Sequence, residues 1–130
     1  MIGSLNAIEV ITFFVEDLSA TKTFYTSVFG SEIVYQDAVS AVMKLDNLMI
    51  NLLQIERAPK LVEPIAVARL EHGTRLLLTV KVVNVDAVCA ELERHGVKLL
   101  NGPIDRPWGR RTAAFCDPAG NVWEVAQVLA

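Results

Sequence analysis

Hydrophobic and polar positions follow the same order twice along this chain. The segment 15–20 recurs at 82–87, so that Asp17 corresponds to Asn84, 67 residues later. Gly30 corresponds in the same way to Gly96. An apolar run that predicts an extended strand precedes each copy. A helical pattern comes after each copy and ends at the glycine. The pattern therefore predicts an internal duplication.

Each copy is predicted to contain one amphipathic helix. In the second copy, one apolar stripe recurs at helical spacing and consists of Val85, Val88, Cys89 and Leu92. Asn84 or Asp86 can cap this helix, because a short polar side chain accepts a hydrogen bond from a free N–H of the first turn. Gly96 ends it. The first helix is defined by Asp17 or Ser19 at its start, Phe24, Tyr25, Val28 and Phe29 on its apolar face, and Gly30 at its end.

Three short strands are predicted after each helix. They are Ile33–Gln36, Ala41–Leu45 and Leu48–Gln54 in the first copy, and Val97–Leu100, Arg111–Cys116 and Val122–Val128 in the second. Tight turns at 46–47 and 117–120 join the last two strands of each copy. The fold class is therefore α+β, with two βαβββ modules in one domain over 1–130. Module one covers about 5–56, a linker covers 57–74 with a short helix at Val62–Leu70, and module two covers 75–130.

Composition and charge narrow the class of protein. Of the 130 residues, 52% are hydrophobic and 21% are charged, which is typical of one globular domain with a core. The net charge of −3 and the lack of a basic run argue against a nucleic-acid partner. Apolar stretches are too short to span a membrane, and the first residues do not resemble a signal peptide. We therefore expect a cytoplasmic protein, with Cys89 and Cys116 reduced.

Three groups of residues, together with the repeat, carry a resemblance to a known family. They are 17–18 with 24–25 and 29–30, the loop 107–109, and the C-terminal motif from Asp117 to Glu124. In this combination the chain resembles the glyoxalase/bleomycin-resistance/dioxygenase (vicinal oxygen chelate) superfamily. The resemblance implies that both modules build one cup-shaped mixed sheet with a ligand inside. It also implies a homodimer, since small members of the superfamily usually form one.

The metal-using members of this superfamily place four side chains in the cup, each a His, a Glu or occasionally a Gln. The equivalent positions in this sequence are Val10, Asn51, Leu77 and Glu124. Two aliphatic groups, an amide and one carboxylate are a poor donor set for a divalent transition metal. We therefore predict neither a metal nor another cofactor, with a divalent metal as the less favoured alternative.

Strand alternation assigns further side chains to the cup, and the resemblance implies that the loop 107–111 borders its mouth. The predicted ligand-binding residues are Thr12, Phe14, Met49, Asn51, Leu53, Thr79, Lys81, Trp108, Arg111 and Glu124. A largely apolar wall with a few polar groups is typical of small-molecule sites. Trp108 is either a lid on the core edge or a stacking surface. Arg111 either pairs with an anionic group of the ligand or lies solvated at a strand edge, and Trp123 is predicted to face the core.

Three functions remain open. The leading one is a metal-free protein, resembling the bleomycin-resistance branch, that binds an apolar or aromatic small molecule in the cup. In that case Glu124 pairs with Lys81 or Arg111, or hydrogen-bonds Asn51. The alternative is an enzyme of the lyase or dioxygenase type, possibly metal-independent, that uses Glu124 as its general base. A third possibility is a protein that acts through its dimer surface.

Overall fold

Each half of the chain folds as one βαβββ module, as the repeated pattern predicts. The computed structural model describes residues 2–130 and divides after Arg69 into two units. The first unit contains β1 (Val10–Val15), α1 (Leu18–Phe24), β2 (Glu32–Gln36), β3 (Ser40–Lys44), β4 (Met49–Gln54) and α2 (Pro59–Val62). The second contains β5 (Leu77–Lys81), α3 (Val85–Arg94), β6 (Asn101–Arg106), β7 (Arg110–Cys116) and β8 (Val122–Val128). The fold class is α+β.

The two units have sheets of the same mixed topology. The strand orders are β1-β4-β3-β2 and β5-β8-β7-β6. In each sheet the first strand pairs in parallel with the last strand, and the other pairs are antiparallel. Thr12 lies beside Asn51 in the first unit, and Thr79 lies beside Glu124 in the second. The duplication therefore extends to individual residue pairs.

Both helices begin at the caps that the repeat predicts. The Asp17 side chain accepts a hydrogen bond from the Ala20 N–H at 3.0 Å, and the Asn84 side chain accepts one from the Ala87 N–H at 3.0 Å. Each bond satisfies a donor of the first turn that has no partner within the helix. The first of the two alternatives predicted for each cap is therefore correct. After α1 the chain continues as a π-helical segment, Tyr25–Phe29, up to Gly30.

The core of each unit lies between its sheet and its main helix. The buried hydrophobic residues that line it in the first unit are Phe13, Val15, Tyr25, Ile50 and Leu52. Those in the second unit are Val85, Cys89, Leu92, Phe115, Trp123 and Val125. Trp123 is only 3% exposed, which confirms its predicted place in the core. Because strand side chains alternate, the residues between these core positions point to the opposite face of each sheet.

The strand after α3 is not where the sequence predicts it. The predicted strand Val97–Leu100 was wrong, since β6 covers Asn101–Arg106. The Val97 N–H instead donates to the Leu92 carbonyl at 2.9 Å, so this stretch begins as the exit of the helix. Position 102 within β6 requires glycine, because a Cβ there would collide with the carbonyl oxygen of Thr112 on β7. A Gly-Pro pair that is typical of turns therefore belongs to a strand.

The predicted linker helix Val62–Leu70 was also wrong. The helix found there is α2, which ends at Val62. Proline suits the first turn of a helix, where Pro59 lies, because its missing N–H has no intrahelical partner there. Pro64 disfavours a helical conformation at the preceding Glu63, which has a ψ of 144°. The same residue type therefore starts and stops this short helix.

Candidate functional site

The face of the first sheet that points away from α1 carries the residues predicted for a ligand in this unit. They are Thr12 and Phe14 on β1, and Met49, Asn51 and Leu53 on β4. The register pairs Thr12 with Asn51 and Phe14 with Leu53. The structure therefore brings these five side chains together on one largely apolar face, where Leu53 is buried and the other four are half-buried.

Asn51 has an unusual environment on this face. Its Oδ1 is buried and has no hydrogen-bond partner in the described chain. Thr12 is its neighbour on β1, and Val42 is its neighbour on β3. A buried polar atom without a partner destabilises the folded state. Packing alone therefore does not explain why position 51 is an asparagine.

The corresponding face of the second sheet carries Thr79, Lys81 and Glu124. The Thr79 hydroxyl donates a hydrogen bond to Glu124 Oε1 at 3.0 Å. Glu124 Oε2 accepts no hydrogen bond from the residues that the structure describes. The partners predicted for Glu124 were Lys81, Arg111 or Asn51, and the observed partner is none of them. The carboxylate is held by a neutral hydroxyl on the adjacent parallel strand.

Arg111 does not lie on the face that carries Glu124. Its Nε donates to Asp105 Oδ1 at 2.7 Å, and its Nη1 lies 3.0 Å from Asp86 Oδ2. The hydrogen bond from Arg111 holds the pKa of Asp105 below its usual value, and Asp105 in turn raises the pKa of Arg111. Neither role predicted for Arg111 matches this geometry. It joins the start of α3 to the β6–β7 hairpin.

Trp108 occupies the turn between β6 and β7, where the Gly109 N–H donates to the Arg106 carbonyl at 3.1 Å. The Trp108 side chain is 67% exposed, so it is not a lid over the core edge. The Arg106 guanidinium carbon lies 5.8 Å from the centre of its ring. A cation over an indole face is attracted by the ring electrons. Stacking of a ligand on this ring stays a prediction.

Sequence reasoning missed Arg106, Arg110 and Thr112, which share the face of Glu124. Arg106 Nε donates to the Thr112 hydroxyl at 2.9 Å, and Arg106 lies opposite Arg110 across the hairpin. The missed signal was the predicted turn at 117–120. Its closing pair is Cys116 with Val122, and counting back in steps of two places Thr112 and Arg110 on the face of Glu124 rather than on the face of Trp123.

The four positions that hold the metal in the superfamily do not present a suitable donor set. Val10 and Leu77 offer no donor atom, Asn51 offers an amide, and Glu124 offers the one carboxylate. Borderline metal ions prefer imidazole, thiolate or several carboxylates. Among residues 2–130, no three His, Cys, Asp or Glu side chains are placed to hold a metal ion. These residues do not fit a superfamily-type metal.

Comparison with known protein families agrees with the fold and with the repeat. The model of the Glyoxalase/Bleomycin resistance protein/Dioxygenase superfamily matches residues 7–125. The chain belongs to this superfamily. The resemblance deduced from the sequence and the α+β fold of two βαβββ modules are both confirmed. Within the described part of the chain, no helix has the length and apolar character needed to cross a membrane.

Similar proteins include one curated sequence and many solved structures. An uncharacterised protein of Bacillus subtilis, YraH, is 32% identical over 123 residues, which cover 92% of this chain and 96% of that protein. A glyoxalase/bleomycin resistance protein/dioxygenase from Nocardioides has a TM-score of 0.85 at 22% identity, covering 95% of this chain and 83% of its own. A lactoylglutathione lyase from Agrobacterium tumefaciens has a TM-score of 0.75 at 24% identity, covering 94% and 93%. At these identities the structures show the fold alone.

Proposed function

We propose that this protein binds an apolar or aromatic small molecule without using a metal ion. The observation that carries the proposal is the environment of Glu124. Of the four positions that correspond to metal ligands in the superfamily, Glu124 alone carries a residue type that binds the metal there. Its Oε1 accepts a hydrogen bond from Thr79. Leu77, the other position of the second unit that corresponds to a metal ligand, is aliphatic, so this unit offers Glu124 no second metal ligand at these positions. The shared cup, the homodimer and the cytoplasmic location stay predictions.

The first sheet supports an apolar ligand. Phe14, Met49 and Leu53 supply hydrocarbon surface on one face, and Thr12 and Asn51 supply a few polar atoms between them. Small-molecule sites generally combine an apolar lining with a small number of polar groups that fix orientation. This composition favours a ligand whose main contribution to binding is buried apolar area.

Metal analysis and thermal stability test the proposal together. Purified protein should contain no near-stoichiometric transition metal by elemental analysis, and a chelator should leave its melting temperature unchanged. Aromatic compounds in a screen should raise the melting temperature, because a ligand that binds only the folded state stabilises it by mass action. A stoichiometric metal that survives dialysis, or a melting temperature that falls with the chelator, would contradict metal-free binding.

A second candidate function is a reaction of the lyase or dioxygenase type with Glu124 as general base. The supporting observation is that Thr79 fixes Oε1 while Oε2 stays available to accept a proton. Positioned carboxylates can serve in this way when a substrate proton lies within hydrogen-bond reach. Glu124→Gln keeps the shape and the acceptor for Thr79 but not the basic oxygen. Ligand binding should survive this change and turnover should be lost, whereas intact turnover would exclude the role.

A further inference from the structure

Three cationic side chains share one end of the second sheet on the face that carries Glu124. They are Lys81 on β5, Arg106 on β6 and Arg110 on β7. The β7–β8 register is continuous from Arg110–Val128 to Cys116–Val122, which places Arg110 on the same side as Glu124. Arg106 lies directly opposite Arg110. Lys81 pairs with Ala126, which pairs in turn with Thr112, so Lys81 approaches the same region from the other edge of the sheet.

Within residues 2–130, no ion pair joins a carboxylate to any of these three side chains. Among residues 2–130, Lys81 and Arg110 form neither an ion pair nor a side-chain hydrogen bond. In the described part of the chain, Arg106 donates only to neutral oxygens, Thr112 Oγ1 at 2.9 Å and Asn101 Oδ1 at 3.4 Å. Like charges directly opposite each other on paired strands are destabilising. An anion at this position would relieve the repulsion between Arg106 and Arg110.

The acidic groups nearby are arranged so that they do not compete for this position. Asp105 and Asp86 are held by Arg111 on the other side of the sheet. Glu124 is on the same face, where it pairs with Thr79 and Ala114. Lys81 and Thr112 each lie two residues further along their strands, a step of about 7 Å at ordinary strand spacing. The face therefore has a cationic end and a separate acidic position.

Exposed apolar side chains adjoin the cationic end. Trp108 is 67% exposed and stacks with Arg106, and Val128 is 53% exposed beside Arg110. An exposed indole ring next to guanidinium groups is suited to bind a ligand that has a planar ring and a negatively charged group. Arginine suits carboxylates because its planar fork donates two parallel hydrogen bonds.

We infer that the ligand of this protein is an aromatic carboxylate, bound by its carboxylate to Arg110, Arg106 and Lys81 with its ring against Trp108. The inference rests on the proposed binding function and adds the charge, the chemical class and the orientation of the ligand. The carboxylate is directed away from Glu124, because two carboxylates close together repel each other.

Titration with benzoate and with benzamide, its neutral analogue, tests the inference. Nuclear magnetic resonance of the full-length protein separates the two indole N–H signals, of which Trp108 is exposed and Trp123 is buried. Benzoate should shift the Trp108 signal and bind about tenfold more tightly than benzamide, as expected for one charge-assisted contact. Added salt should weaken benzoate binding and leave benzamide unaffected, because exposed charges are screened.

Charge-removing variants identify the binding position. Arg110→Gln and, separately, the exposed Lys81→Gln should each weaken benzoate binding several-fold and leave benzamide binding unchanged. Arg94→Gln is the matched control, since it removes the same charge from the exposed surface of α3. If both variants bind benzoate as well as the wild type does, the inference is overturned.

The two proposals fail in different ways. Equal affinities for benzoate and benzamide would overturn the carboxylate preference and leave binding of an apolar ring intact. Benzoate that binds without moving the Trp108 signal would overturn the proposed position. A stoichiometric metal, by contrast, would overturn the metal-free function even if Arg110 and Lys81 still recognised the anion.

Discussion

The Thr79 hydroxyl donates to Glu124 Oε1 at 3.0 Å, across the parallel pair of β5 and β8. The duplicated pair in the first unit is Thr12 and Asn51, at the same register between β1 and β4. Thr12 makes no side-chain hydrogen bond there, and Asn51 Oδ1 has no partner within the described residues. In the second unit this duplicated position thus carries a carboxyl group with one hydrogen bond, and in the first it carries an amide whose oxygen has no partner among the described residues.

Replacing Thr79 with Val should destabilise the protein by about 1 kcal/mol or less, because it removes a partly exposed hydrogen bond to Glu124. Valine keeps the shape and the preference for strands, so packing should change little. Urea denaturation measures the effect. Thr12→Val is the control, and it should cost less because that hydroxyl has no hydrogen-bond partner among residues 2–130. Equal losses in the two variants would show that the Thr79 bond contributes nothing to stability.

Replacing Arg111 with Gln should make the protein less stable at neutral pH, by an amount that depends on pH. The Arg111 hydrogen bond lowers the pKa of Asp105 from its ordinary value of 3.8. A carboxyl group with a lowered pKa in the folded state stabilises the fold above its unfolded pKa, and this contribution is lost as pH falls through the folded pKa. The difference from the wild type should therefore shrink below about pH 4.

Urea denaturation at neutral and acidic pH measures this dependence, and carboxyl resonances report the pKa of Asp105 directly. In the variant that pKa should return toward its ordinary value. Benzoate affinity should be unchanged, since Arg111 is held by Asp86 and Asp105 away from the cationic end. A stability difference that stays constant with pH would rule out the Asp105 interaction as its source.

Replacing Gly102 with Ala should be strongly destabilising, by about 3 kcal/mol or more. The residue has a φ of +91°, and an added Cβ would collide with the Thr112 carbonyl oxygen and the Ala113 backbone. Gly109→Ala is the matched control, because Gly109 has a similar φ of +85° and open space around it. That variant should cost only the backbone strain, about 1 kcal/mol. Thermal denaturation of the pair separates the collision from the strain.

Replacing Asp117 with Ala should destabilise the second unit by at least about 2 kcal/mol. The buried Asp117 carboxylate accepts hydrogen bonds from the Ala119 N–H at 2.8 Å and from the Asn121 N–H at 2.9 Å. Asp46→Ala in the corresponding turn of the first unit is the control, because the Asp46 side chain is exposed and makes no hydrogen bond to the described residues. Chemical denaturation should show a large loss for the first variant and little for the second.

The repeat, both helix caps and the buried Trp123 were predictable because each depends on local spacing. Asp17 and Asn84 cap their helices through contacts three residues away. The limits of β6 were not predictable, since Gly102 and Pro103 are typical turn residues. Their place in a strand depends on the close approach of Thr112, ten residues further along the chain. The sequence pattern around Gly102 therefore does not indicate its contact with Thr112.

The sheet face of each candidate residue was predictable on β1, β4, β5 and β8. The face of Arg111, on the β6–β7 hairpin, was predicted wrongly. The resemblance pointed to Asn51 and Glu124, and strand alternation gives their side of the sheet, because their strands have clear apolar neighbours on the helix side. Arg111 was assigned to the wrong face, since its side depends on the register that the turn at 117–120 sets for β7. The cationic end was missed for the same reason. It becomes visible only when the two strands of the hairpin are aligned residue by residue.

The unpartnered Asn51 Oδ1 has a consequence for how this sequence can change. A small protein has about 5–15 kcal/mol of net stability, and a buried acceptor without a donor removes about 1–3 kcal/mol of it. Asn51→Val should therefore raise the melting temperature, because valine fits a half-buried strand and leaves no polar atom unsatisfied. Random mutation screened for heat resistance alone would be expected to discard the amide. A library screened for ligand retention at the same time would show whether this asparagine is a relic of the duplication or a requirement of the ligand.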